Sequence, residues 1–300
     1  MNRRYWARRN ALLDPVANAR EIYRTLVLHE FPWDMNQALS FALFRTYAVP
    51  SIGDLLDRTG EFTGRVQKRY DDTGLLLEAP LVHGFDSDAG RVAVRRINQM
   101  HRLYDISQDD FRYVLSTFVV VPKRWNDDFG WRRFTDGEVR ASVEYYRTLG
   151  RHMAITDIPA TYQEFSDLMD SYEAEHFAFH PGSRRVADAT LGLMQTFYPS
   201  VAAAPAEVFA RALMDRPLLD ALGYEEPSPA VQAAARAALK ARAVALRAAP
   251  ARRRPKYTAD LPGVRSYPQG YDLGAMGSFA AAPGCPVPHA AAPRRESVGV

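Results

Sequence analysis

Cysteine is almost missing from this chain: Cys285 is the one example in 300 residues. That excludes an intrachain disulfide and any zinc or iron–sulfur site built on cysteines. A reducing, cytoplasmic setting is the expectation that goes with it. Long apolar runs are missing too. The cleanest stretch, 118–121, falls far short of the roughly 18 residues a membrane-spanning helix needs. The basic start, MNRRYWARRN, has no apolar segment behind it and does not read as a secretory signal. Charge of one sign is not in excess. The 38 Lys and Arg face 35 Asp and Glu, a formal balance of +3. The charges are scattered, so no nucleic-acid partner is indicated. Neither an internal repeat nor a convincing strand pattern is present.

What is there is ordinary globular composition, 47% hydrophobic and 24% charged, enough to bury a sizeable core. The local signals are helical. Asp14 before Pro15 predicts a helix running to about His29, and Pro32 then opens a second one to about Ala48. Pro50 and Ser51 open a short third, and Thr63 is placed as the cap of a helix starting at Gly64. Ser107 with Asp110, Thr135 with Glu138, and Thr161 with Glu164 have the spacing of capping boxes. The helix after Thr161 carries Phe165, Leu168, Met169 and Tyr172 on one face. Another begins near Ser183, after His180 and Pro181, where a helix end is expected. Residues 228–251 are half alanine and predict a last helix. Beyond Arg252 the chain turns to Pro, Gly and Ala. Such composition offers little burial to offset ordering, so a disordered tail over 252–300 is expected. The run Arg252, Arg253, Arg254 reads as solvated. The expected fold is all-α, one helical domain over about 10–245.

Two segments hold residues that chemistry can use. In 91–104, Ile97, Met100, His101 and Tyr104 recur at helical spacing, which puts His101 on an apolar face. One reading is a core histidine with a satisfied hydrogen bond. The other is an axial ligand, a neutral imidazole projecting into a greasy pocket. In 64–77, Arg69 and Thr73 share a face at i, i+4, beside Val66, Tyr70 and Leu77. Surface charge pairing accounts for Lys68 and Asp71. Thr73 followed by Gly74 is less easily explained, since both cost helix propensity and a glycine there permits close approach of another group. Glu173 and His176 form an ExxH pair, but a di-iron bundle needs a second, and none is present.

The strings KRYDDT, RINQMHRLY, YVLSTFVVVPKRW, FGWRRFTDGE, LGRHMAITDIPATYQEF and SYEAEHF occur in that order over roughly residues 40–200. Together the segment resembles the family of MpaB and the rubber oxygenases (latex-clearing proteins). The resemblance implies an all-helical fold with a globin-like haem-binding core and extra helices. It implies non-covalent haem b, in keeping with the lack of a CxxCH motif. It also implies oxidative cleavage of carbon–carbon double bonds with dioxygen, in a hydrophobic isoprenoid-like or natural-product substrate. Carried over by position, the proximal iron ligand is His101, and the distal pair is Arg69 and Thr73. Where rubber oxygenases have a lysine just before that threonine, this chain has Asp72. An aspartate there is expected to pair with Arg69 and orient it, or to relay protons, rather than to ligate iron. Two other readings stay open at the level of sequence. One is a haem enzyme performing hydroxylation or dehydrogenation, and the other is a haem-free helical protein holding a lipidic ligand. Peripheral contact with a membrane is left open as well.

Overall fold

The computed structural model describes residues 2–277. Its architecture is all-α, with no strand among the described residues. In chain order the helices are α1 (Tyr5–Asn10), α2 (Ala19–Thr25), α3 (Pro32–Tyr47), α4 (Pro50–Arg58), α5 (Glu61–Gly64), α6 (Val66–His83) and α7 (Asp88–His101). They continue with α8 (Gln108–Phe129), α9 (Asp136–His152), α10 (Tyr162–His176), α11 (Pro181–Gln195), α12 (Ser200–Leu213), α13 (Arg216–Leu222) and α14 (Pro229–Ala248). One π-helical turn, Leu26–Glu30, follows α2.

Side-chain caps set several of these boundaries. Thr135 and Glu138 close a reciprocal capping box on α9. Ser107 accepts from the Asp110 amide at the start of α8, and Thr161 from the Glu164 amide at the start of α10. In those two cases the acid turns elsewhere: Asp110 accepts from the Ser107 hydroxyl and Glu164 from the Ala160 amide. His180 does not end a helix. Its Nδ1 accepts from the Gly182 amide at 3.2 Å and caps α11. The single helix expected from Asp14 to His29 is not formed. The Asp14 carboxylate takes the amides of Val16 and Ala17 at 2.9 and 2.7 Å in a local turn, and α2 starts only at Ala19. Thr63 caps nothing; its hydroxyl donates to the Gly60 carbonyl, and α6 begins two residues after Gly64 ends α5.

Two compact units emerge, one of residues up to 64 with 106–256, the other of 65–105 with 257–277. In the larger, α3 packs along α8, α10 and α9 flank α8, and α2 lies on α9. Elsewhere in that unit α11 contacts α4 and α12, and α12 contacts α14. Phe31, Phe44, Tyr47, Tyr113 and Phe165 are fully buried there. Buried acids sit opposite arginines: Arg132 bridges Glu30 and Glu138 at 2.6 and 2.7 Å.

The smaller unit is built on a helical hairpin. Gly84, at φ 96°, leaves α6 in the left-handed region, and Ser87 caps α7 by accepting from the Gly90 amide at 3.0 Å. A Cβ on Gly90 would stand 1.9 Å from the Gly84 carbonyl, so this corner closes only around a glycine. Leu75, Leu76 and Ala79 of α6 and Ala93, Val94 and Ile97 of α7 are buried. The chain over 257–277, expected from its composition to be loose, runs along this hairpin instead. Carboxylates on α6 hold it, together with the fully buried Met276. The Thr258 amide and hydroxyl both donate to Glu78 at 2.7 Å. The Arg265 and Ser266 amides donate to Asp71 at 3.0 and 2.8 Å, and the Gly277 amide to Asp72 at 2.8 Å. The rest of the segment expected to be disordered, with Cys285, lies outside the described residues.

Candidate functional site

A connection of only four residues turns α6 back on α7, which sets the first turns of α6 beside the last turn of α7. Arg69 and Thr73 are thereby brought near His101. Thr73 Oγ1 donates to the Arg69 carbonyl at 2.7 Å and accepts from an Arg69 Nη1, so the i, i+4 pair is formed. His101 is the last residue of α7 and is partly buried. Its Nδ1 is shut off from solvent. Tyr104, grouped with it by spacing, lies beyond the helix end and is exposed.

The charge state of His101 follows from three influences. Burial penalises the imidazolium most, the nearby positive charge of Arg69 adds to this, and a hydrogen bond with the Ile97 carbonyl works the other way. The partial negative charge at a helix C-terminus also favours a cation. Burial and Arg69 prevail, and the pKa falls to about 4. The ring is therefore neutral at ordinary pH, with one nitrogen held by a carbonyl four residues back. Those two properties are what an axial ligand to iron needs.

Asp72 does not take the place expected for it. Its carboxylate accepts from Lys68 Nζ at 2.5 Å, from the Tyr267 hydroxyl and from the Gly277 amide. No Arg69–Asp72 pair forms. On a helix the i−4 lysine reaches that carboxylate as readily as the i−3 arginine, and Arg69 is engaged with Thr73. Asp71 is not a surface partner either; it is fully buried and holds Gln67 and the 265–266 main chain. Gly74 does permit a close approach, by Thr258, whose Cγ2 would lie 2.9 Å from an added Cβ.

Sequence reasoning missed Glu78, Arg96 and Tyr267, and read Lys68 only as a surface charge pair, which it forms with Asp72. Arg96 donates through Nε to the Met276 carbonyl. Burial and the neighbouring Asp72 push the Tyr267 hydroxyl far above its ordinary pKa, so it stays a donor. The signal that could have revealed this chain segment is its three tyrosines, Tyr257, Tyr267 and Tyr271, which are out of place in a low-complexity tail.

The ExxH pair is used for structure. Glu173 accepts from Arg45 Nε at 2.7 Å and from the Tyr113 hydroxyl at 3.1 Å, and His176 packs 4.1 Å from the Tyr172 ring. Among the described residues no group of three or more His, Cys, Asp or Glu side chains is placed to hold a bare metal ion. No helix among them is long and apolar enough to cross a membrane.

Comparison with known proteins extends these observations. The "ER-bound oxygenase mpaB'" of Penicillium brevicompactum is 30% identical over 244 residues, covering 75% of this chain and 58% of that protein. The "ER-bound oxygenase mpaB" of the same organism is 30% identical over 239 residues, covering 73% and 60%. The mpaB of Penicillium roqueforti is 28% identical over 226 residues, covering 69% and 76%. The chain thus spans less than two thirds of the length of the first two. Residues 48–247 match the family described as "ER-bound oxygenase mpaB/B'/Rubber oxygenase, catalytic domain", and the chain belongs to that family.

Proposed function

We propose that this chain is an oxygenase that uses haem b and dioxygen on a small hydrophobic substrate of isoprenoid-like or natural-product type. The observation that carries the reading is His101: a neutral, partly buried imidazole beside Arg69 and Thr73, with one ring nitrogen tied to the Ile97 carbonyl. The donor set suits a haem with one protein ligand. His101 would hold the iron, and the Ile97 carbonyl would fix its tautomer and ring orientation. When bound, haem supplies the activation of dioxygen. Arg69 presents a cation and Thr73 a hydroxyl, the groups that stabilise negative charge building on a reacting oxygen. Their mutual hydrogen bond keeps both side chains ordered beforehand. Asp72 contributes by holding the 267 and 277 region against α6, not by orienting Arg69. Oxidative cleavage of a carbon–carbon double bond is the reaction the family resemblance favours. A cytoplasmic setting rests on the cysteine content alone, while the relatives' names describe those proteins as ER-bound.

An absorption spectrum tests the central element. Wild-type protein reconstituted with haem b should show a Soret band, and His101→Ala should fold with the same far-UV circular dichroism yet lack that band. Normal haem content in the variant would remove His101 from the site. Arg69→Ala should keep haem and lose most turnover, on the order of 3 kcal/mol in activation free energy.

A further inference from the structure

The larger unit contains a cavity of about 510 Å³ that the proposed function does not use. It is lined by Arg3, Arg4, Arg8, Arg132 and Arg247 around Trp131. Arg132 is ion-paired, with Glu30 and Glu138, while Arg3 feels the charges of Glu30 and Asp34 without a direct pair among the described residues. Arg3 and Arg247 reach main-chain carbonyls, those of Pro250 at 3.4 Å and Trp131 at 3.2 Å, and not acids. Arg4 and Arg8 have no carboxylate within ion-pair distance among the described residues. The guanidinium of Arg3 lies 4.4 Å over the Trp131 ring, and burial lowers its pKa although the charges of Glu30 and Asp34 oppose this.

Donors outnumber acceptors here. Arg3 Nε, Arg132 Nε and Trp131 Nε1 are buried without an acceptor among the described residues. Buried donors left so are uncommon, because each carries its desolvation cost uncompensated. Four guanidiniums without an acidic partner around one concavity also repel one another. Both costs are relieved by an anion with several oxygens. The volume exceeds what a single halide fills and lies in the range of small-molecule pockets. Planar guanidinium forks match phosphate oxygens in a bidentate way.

We infer that this arginine-lined cavity is a binding site for a phosphate group, borne by a lipid headgroup or by a soluble phosphate ester. Its surroundings suit the lipid source. Tyr5 stands one turn before Arg8 and Val244 one turn before Arg247, and they are 43% and 60% exposed. Apolar side chains interleaved with cations are the pattern of a surface that rests in a membrane interface.

Titration calorimetry of the full chain with sodium pyrophosphate, and co-sedimentation with phosphatidylcholine vesicles with and without phosphatidic acid, test the inference. Arg8→Ala and Arg247→Ala alter exposed side chains and should leave the fold intact by circular dichroism. Each should weaken pyrophosphate binding about tenfold, the usual loss for one charge-assisted contact. Arg8→Lys should recover only part of the loss, since the ammonium keeps the charge without the fork. Vesicle binding that needs phosphatidic acid and both arginines would identify a lipid phosphate. Pyrophosphate binding without vesicle binding would identify a soluble one. Wild-type protein that binds neither, or a double alanine variant that binds as wild type, would overturn the site. Full retention in Arg8→Lys combined with Arg247→Lys would also overturn it, reducing the cavity to diffuse positive charge.

Discussion

Buried carboxylates are satisfied differently in the two units. In the larger unit most meet arginines: Glu30 and Glu138 share Arg132, Glu173 takes Arg45, and Asp34 takes Arg242 at 2.9 Å, while Asp110 accepts from the hydroxyls of Ser51, Ser107 and Tyr172. In the smaller unit Asp71 takes two main-chain amides and Gln67, and Asp72 takes an amide, a tyrosine hydroxyl and one lysine. A pair between two helical side chains forms once the helices pack. A carboxylate filled by amides of irregular chain demands one particular path of that chain. The acids of α6 thus fix the path of this segment, alongside the apolar burial of Met276.

The largest test of this contrast falls on the larger unit. Arg132→Met should strand two carboxylates that are each 1% exposed, a loss of about 3–5 kcal/mol in denaturant unfolding. A loss under about 1 kcal/mol would show that neutralised acids or water replace the arginine easily. Asp71→Ala comes next. It leaves the amides of Arg265 and Ser266 without their acceptor, a local cost of about 1–3 kcal/mol. Hydrogen exchange should show lost protection at those two amides while α3 and α8 keep theirs. Loss spread over both units would erase the distinction.

Thr135→Ala removes the capping box of α9 and should lower stability by about 1 kcal/mol in the same unfolding assay. The smallest effect is one of pH. Burial raises the Glu78 pKa above its ordinary value, while the two hydrogen bonds from Thr258 oppose this less strongly. A raised folded-state pKa means that the folded form binds the proton more tightly. Its contribution is therefore full below the unfolded value of 4.5 and is lost as pH rises through the raised one. Protection of the Thr258 amide, corrected for intrinsic exchange, should fall over that interval and become flat in Glu78→Gln. An unchanged slope in the variant would assign the effect to another group.

Helices were legible wherever the deciding partner lies within four residues. Thr135 with Glu138 and the Ser107 cap were read from spacing alone, as was the Arg69–Thr73 pair. The failures share a cause. Asp14 could cap a helix or a turn with the same atoms, and only packing chooses between them. The Lys68–Asp72 pair was a local alternative to Arg69–Asp72 that spacing could not rank. Tyr267 on Asp72 was beyond reach for another reason: the two are 195 residues apart. Composition averaged 257–277 into the Pro, Gly and Ala tail, although this stretch carries three tyrosines with Leu261, Val264, Leu273 and Met276. It erred in taking burial as the one source of order. The specific strings such as FGWRRFTDGE prove to carry structural ion pairs and caps, Arg132, Thr135 and Glu138 among them.

The long reach between α6 and the chain that covers it also sets a timetable. Asp71 and Asp72 leave the ribosome 194 to 205 residues before the amides that satisfy them. At about 5–20 residues per second that interval is roughly 10–40 s. Throughout it the hairpin of α6 and α7 carries two acids met only by their helix neighbours Gln67 and Lys68, with water taking the place of the missing amides, while the arginine-paired acids Glu30 and Glu138 can already be matched once Arg132 and α9 are made. The smaller unit is thus begun early in translation and completed among the last.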